Sequence, residues 1–320
     1  MLKYTLRKLL VLIPKLLTIT ILLFFILELL PGDALSRTMN PMTYNELTEI
    51  QREEYREVLG LNDPAIIRYF RWLGGVLQGN LGYSTSTKQP IAEVLAARLP
   101  ATMELAAYSL VISAIIGILF GFLSAVFKNS VLDYSLNTIS VLGISLPEFF
   151  YGIVFMILFS LKLGLLPSGG RLSPTDSSFW TGRLPYMILP IGTMVFGLVA
   201  ALQRYTRTTM LDVMGKDYIK TARSKGLSET TVYVKHGLRN AMTPVMTLLV
   251  MRLPRLVGGS VVIEQIFAYS GVGTMSLTAS LAGDLPVVLV GTLLTGAMTL
   301  IASTLVDLFT ALLDPRVRFE

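Results

Sequence analysis

Long apolar stretches alternate with short polar segments along the chain, and the lengths of the apolar stretches decide its class. A bilayer core about 30 Å thick is crossed by roughly 20 helical residues rising about 1.5 Å each. Residues 9–30, 103–127, 136–161, 186–202, 244–267 and 287–313 meet that requirement with almost no charge. They predict six transmembrane helices, the fourth being the shortest. The first follows Lys3, Arg7 and Lys8, as a signal peptide would, but it exceeds the roughly 7 to 15 apolar residues of a signal core. It therefore reads as a retained span.

The segment 31–102 follows another pattern. Leu47, Ile50, Val58 and Leu59 recur at helical spacing among charges, and Gly60 supplies a stop. Asp63 followed by Pro64 reads as the start of a second helix, with the carboxylate capping free amides and the ring preset for the first turn. That helix carries Ile67, Phe70, Trp72, Leu73 and Val76. The pair forms a packed cap or, alternatively, a docking surface for an external protein.

Composition agrees with lipid as the solvent. The 320 residues are 52% hydrophobic and 15% charged, against about 25% charged in globular domains. Disorder and collagen are excluded on the same ground, and the absence of cysteine excludes a disulfide scaffold. The net charge of +6 matters through its placement. Positive residues near span ends stay on the cytoplasmic side. The segment 204–243 carries eight Lys/Arg, and Arg316 and Arg318 follow the last span. The opposing short loops carry three and none. Both termini are therefore expected in the cytoplasm and 31–102 outside, long loops being translocated largely regardless of charge.

The most informative polar segment is 217–245, DYIKTARSKGLSETTVYVKHGLRNAMTPV. It reads as helix, turn, helix. Asp217 opens the first helix, Ile219 and Ala222 supply apolar contacts, and Gly226 provides the left-handed backbone that ends it. Ser228 caps the second helix and Glu229 complements its positive end. Val232, Leu238 and Met242 are spaced to share a buried side, and Pro244 restarts the chain as the fifth span. Three roles compete: a solvated loop that only fixes topology, a DNA-binding helix-turn-helix, or a docking site for a cytoplasmic protein. Tethering to membrane at both ends leaves no recognition helix free for a major groove.

These residues resemble the cytoplasmic EAA loop of binding-protein-dependent ABC import permeases of the dipeptide, oligopeptide and nickel type. Lys220, Thr221 and Ala222 occupy the Glu-Ala-Ala triplet, Gly226 its glycine, and His236, Leu238 and Arg239 lie in the closing Ile-x-Leu-Pro positions. Lys220 thus stands in place of Glu and Arg239 in place of Pro. The resemblance runs along the whole chain, through LLPGDA, GLNDP, GNLGYS, RLPATMELA, GGSVVIEQIFAYSGVGTM, GDLPVV and LLDPRVRF.

The resemblance implies an all-α membrane protein of the type I ABC importer permease fold. Its parts would be a first span (1–30), an external helical region (31–102) and a permease core (103–320) whose coupling loop is 204–243. It also implies a coupling helix, formed by Lys220, Thr221, Ala222, Arg223, Ser224, Gly226, Leu227 and Ser228, lying in a groove on a separate ATPase subunit. The implied partners are a second homologous permease, two ATPases and an extracytoplasmic substrate-binding protein, in a prokaryotic cytoplasmic membrane. ATP and Mg would sit on the ATPases, because this chain lacks the G-x-x-x-x-G-K-[ST] phosphate loop. Closure and release of the ATPase pair would drive alternating access of a solute path. Peptides are the first expectation for the solute; nickel chelates and oligosaccharides are alternatives.

Ionisable residues at membrane depth carry a functional hypothesis by default. Arg252 and Arg255 fall near the middle of the fifth stretch and, three apart, on one helix side. They are expected to face a cavity or a partner, either attracting substrate oxygens or pairing with Glu148, Glu264 or a neighbouring subunit. Pro147 predicts a kink in the third span. Gly258, Gly259, Gly271 and Gly273 permit close helix approach or a re-entrant turn. Two rival classes fit less well. A secondary transporter would show inverted repeats, and an intramembrane hydrolase needs a nucleophile with a base, paired acids or metal ligands. The single histidine, His236, lies in the polar loop instead.

Overall fold

A computed structural model describes residues 2–29, 32–33, 35–37, 39, 41–258 and 261–313. Its elements are helical: α1 Leu2–Glu28, α2 Pro41–Glu46, α3 Glu49–Val58, α4 Ala65–Leu77, α5 Ile91–Val126, α6 Val131–Ser145, α7 Glu148–Phe155, α8 Leu184–Met214, α9 Asp217–Ser224, α10 Glu229–Thr231, α11 Arg239–Val250, α12 Leu253–Gly258, α13 Val261–Ile266, α14 Val272–Leu281 and α15 Leu285–Leu313. Wider π-type turns cover Met156–Lys162, Phe179–Arg183 and Val232–Leu238. Among the described residues the only β feature is an isolated antiparallel bridge between Tyr83 and Pro90. Gly259 and the part of the terminal LLDPRVRF beyond Leu313 lie outside the described residues.

Among the described residues four helices are long and apolar enough to cross a membrane: Tyr4–Glu28, Ile91–Val126, Phe179–Met214 and Leu285–Ala311. The third expected span is instead a pair, Val131–Ser145 and Glu148–Lys162, bent by 110°. Pro147 explains the bend. Its ring disfavours helical backbone in the preceding residue, and Leu146 is extended at φ −92°, ψ 141°. The expected fifth span, 244–267, is not one helix: α11, α12 and α13 divide it. Pro254 has no N–H for the Val250 carbonyl, so α11 stops there. Pro244 does not restart the chain, because α11 runs through it. The expected fourth span is too short at 186–202, since α8 continues to Met214 and carries Arg204 and Arg207.

The described residues form two compact units, residues 2–102 with 270–301, and residues 103–269 with 302–313. In the first, Ile91, Leu95, Val272, Met275, Val287 and Val290 are buried together. There α3 starts at a Thr48 capping box with Gln51. It ends with Gly60 at φ +63°, whose N–H meets the Glu57 carbonyl while that of Leu61 meets Arg56, a Schellman closure. The Asp63 carboxylate does not cap α4 as expected; it accepts from Arg71 at 2.6 Å, and Pro64 holds the cap position without a side-chain bond. Asp284, 2% exposed, accepts from the Ser84 hydroxyl at 2.5 Å and the Thr85 and Ser86 amides at 3.1 and 3.2 Å. Burial pushes its pKa up, but the three donors outweigh burial and leave it below the ordinary value of 3.8.

In the second unit α8 is the central post, packed by α5, α6, α7 and α11. Gly117 and Gly121 of α5 let the α8 backbone approach. A Cβ at Gly121 would stand 2.7 Å from the Gln203 carbonyl oxygen, and one at Gly117 2.6 Å from the Leu202 Cβ. Small residues one turn apart are the usual means of close helix contact in lipid. Asp133 of α6 is 1% exposed and receives Arg207 of α8 through two bonds of 2.7 Å. It also accepts from the Ser124 hydroxyl, the Asn129 amide and the Asn137 side chain.

Candidate functional site

Two places in the second unit combine exposure with built geometry. One is the polar turn 217–231. There α9 is a short rod whose Ile219 and Ala222 are buried against Val232. Gly226, at φ +75°, closes it: its N–H meets the Arg223 carbonyl and that of Leu227 meets Ala222, again a Schellman arrangement that needs left-handed backbone. Ser228 then caps α10, accepting from the Thr231 amide. Arg223 reaches across the turn to Glu229 with bonds of 2.9 and 3.1 Å. That carboxylate raises the Arg223 pKa and ties the two helices into one piece.

Of the eight residues assigned to coupling, Ala222 alone is buried. Lys220, Thr221, Arg223, Ser224, Gly226, Leu227 and Ser228 are exposed. Tyr218, 46% exposed, joins that surface and was not foreseen, although its position next to the buried Ile219 already put it on the outer side. Leu238 and Met242 do not share a buried side with Val232. Leu238 packs with Met210 and Ala241, and Met242 with Leu202 and Val245, because the π-type turn at Val232–Leu238 rotates the helix that follows.

The other place is a cavity of about 410 Å³ lined by residues of the α6–α7 bend, α8 and α12. Arg252 and Arg255 both reach it, together with Glu148 and Tyr151. Breaking the fifth stretch at Pro254 puts Arg252 in the turn before α12 and Arg255 within it. The Arg255 guanidinium lies 4.0 Å from the Glu148 carboxylate, with side-chain exposures of 70% and 35%. The contact is loose, and a pair of that kind contributes little. Glu264, the other expected partner, is fully buried on α13. Gly197 keeps the cavity open, since a side chain there would run into the Tyr151 hydroxyl. Tyr151 was missed; its spacing of three from Glu148 on one helix was the available signal. Among the described residues no group of three or more His, Asp or Glu is placed to hold a metal.

Among the described residues, apolar helices of membrane-crossing length, a basic, rigid turn between helices and a charged cavity at a helix break define a helical multi-pass membrane protein. The chain belongs to the family described as binding-protein-dependent transport system inner membrane component, whose model matches residues 117–319. The family's N-terminal counterpart matches residues 1–106. It is 38% identical over 317 residues to the oligopeptide transport system permease protein AppB of Bacillus subtilis, covering 99% of both chains. It is 39% identical over 319 residues to a putative peptide permease of Brucella suis, covering 99% of both. Glutathione transport system permease protein GsiC of Salmonella paratyphi A is 35% identical over 320 residues and fully covered.

Among solved structures, the inward-facing MetNI methionine ABC transporter superposes with a TM-score of 0.58 at 17% identity, covering 71% of this chain and 99% of that one. An amino acid ABC transporter follows at 0.51 and 14%, covering 68% and 94%. These two establish the fold, that of the type I ABC importer permeases. The chain is a multi-pass membrane permease subunit of an ABC importer, a class that works with ATPase and substrate-binding partners.

Proposed function

We propose that this permease moves di- and oligopeptides inward by alternating access, driven by ATP hydrolysis on two separate ATPase subunits. The observation that carries the reading is the α9 turn. It is a pre-built rod with a buried apolar base, a left-handed closure and an Arg223–Glu229 tie, presenting Lys220, Thr221, Ser224, Leu227 and Ser228 outward. Such a rod transmits force, where a flexible basic loop would not. The relatives named for oligopeptides, peptides and glutathione support the solute class. ATP and Mg belong to the ATPases, a second homologous permease completes the pore, and an extracytoplasmic binding protein delivers the solute. Both termini face the cytoplasm, residues 31–102 lie outside, and 103–320 forms the permease core. Arg252 and Arg255 line the solute path.

The test uses the cysteine-free chain with Thr221→Cys or Ser224→Cys in the assembled transporter. A short bifunctional reagent is expected to join this residue to an ATPase subunit, with a yield that changes when ATP is bound. Linkage to no ATPase in a transporter that still imports peptide would overturn the coupling role. ATP-independent uptake would overturn the energy source.

A further inference from the structure

Helix α4 was expected to belong to an external cap above the membrane, but its contacts fix its depth within the first unit. The Tyr69 hydroxyl bonds Thr20 of α1 at 2.8 Å. Thr20 lies about 12 Å below the Glu28 end of α1 at about 1.5 Å per residue. The Phe24 ring, about 6 Å below that end by the same rise, packs against both Tyr69 and Trp72 at 5.5 and 5.7 Å. Arg68 instead reaches up, to Glu28 at 2.6 Å. Thus α4 crosses α1 near Phe24, inside the span.

The sides of α4 divide accordingly. Tyr69, 5% exposed, packs inward, while Ile66, Ile67, Phe70 and Leu77 are 50–80% exposed along one outer stripe. Arg68 and Arg71 occupy the edge opposite Ile66 and Leu77 at about 100° per residue. Both arginines are paired upward or outward, Arg71 with Asp63 at 2.6 Å. In the same unit the most apolar window of α1 is only 6% buried.

We infer that α4 is an interfacial helix: its Ile66–Ile67–Phe70–Leu77 stripe is seated in the lipid leaflet at the Glu28 end of α1, with Arg68 and Arg71 at headgroup level. That leaflet is the outer one on the proposed orientation. A helix of this kind lies about 5 to 10 Å into the headgroup and acyl boundary, the depth given by the Phe24 crossing. Long basic side chains at such a depth extend toward the headgroups, as Arg68 does.

The test places single cysteines at Ile66 and Phe70, with Glu54→Cys on α3 as the water-facing control, in the assembled transporter reconstituted in phosphatidylcholine vesicles. Each carries a small fluorophore. Labels at 66 and 70 are expected to be quenched by phosphatidylcholine bearing a nitroxide high on the acyl chain and to resist iodide; the label at 54 should show the reverse. Ile67→Cys serves if either variant fails to assemble. Iodide quenching without lipid quenching at 66 and 70 would overturn the inference, leaving a solvated cap. Resistance to both quenchers, or shielding that arises only on adding a binding protein, would also overturn it, marking the stripe as a protein interface.

Discussion

Two of the arginine–carboxylate meetings in the unit 103–269, Arg207 with Asp133 and Arg255 with Glu148, differ in every physical respect. At Asp133 the carboxylate is 1% exposed, takes Arg207 through a two-pronged contact of 2.7 Å bonds, and receives three further donors. At Glu148 the carboxylate is partly open, and Arg255 stands 4.0 Å off with 70% of its side chain exposed. A charge removed from water is tolerable when every lone pair is met, and removing one partner then strands the other. A charge left half-met beside a cavity is available to something else. The first is a fastening between α6 and α8; the second has the geometry of a site.

The contrast breaks most sharply by truncation at the closed pair. Arg207→Ala or Asp133→Ala is expected to lower stability by about 3 to 5 kcal/mol, the usual penalty for stranding one buried partner. Thermal unfolding of the detergent-purified transporter reads it. Arg207→Lys should recover only part of the loss, because an ammonium cannot reproduce the fork. Wild-type stability in the alanine variants would remove the distinction between the two pairs.

Asp284, in the other unit, separates charge pairing from donor saturation. It is as buried as Asp133 but is met by Ser84 and two amides. Asp284→Asn is expected to cost about 1.5 to 3 kcal/mol, the range for hydrogen bonds to a charged group. Its pKa lies below the ordinary 3.8, so the contribution is fully present above the unfolded-state value and is lost as pH falls through the lower folded-state value. The stability gap between wild type and variant should therefore stay level from neutral pH down toward 3.8 and close below it. A gap that closes near neutral pH would contradict the donor-saturated reading.

What the chain revealed in advance follows from which properties are local. The stretches 9–30, 103–127 and 287–313 lie within α1, α5 and α15 with at most two residues of overhang, because their length and apolarity need no tertiary partner. Gly226 and Gly60 end their helices as read, since a left-handed closure favours glycine wherever it occurs. Apolarity alone could not distinguish one helix from three over 244–267, although Pro254 held the clue. The reach of α8 past Leu202 was hidden for a different reason. Arg207 looks like loop charge until Asp133, far away in sequence, is seen to neutralise it. Arg252 and Arg255 were legible as unusual, but their meeting with Glu148 depends on both the Pro147 bend and the Pro254 break. Neither Tyr151 nor Gly197 announces itself without them.

The smallest expected change in stability falls at the open pair, and it is the most informative one. Replacing Arg252 and Arg255 together by Gln should leave the unfolding midpoint nearly unchanged, because an exposed pair at 4.0 Å contributes about 0 to 1 kcal/mol. Uptake is the quantity that should fall. A passing peptide offers carboxylate and carbonyl oxygens, and removing two positive charges from a cavity of about 410 Å³ weakens their attraction. ATPase assembly should persist, since neither residue lies near α9 in the chain. Reduced uptake with intact assembly and stability assigns the arginines to the solute path. Unchanged uptake returns Arg255 to a loose structural contact and makes the Glu148 pair as architectural as the Asp133 pair.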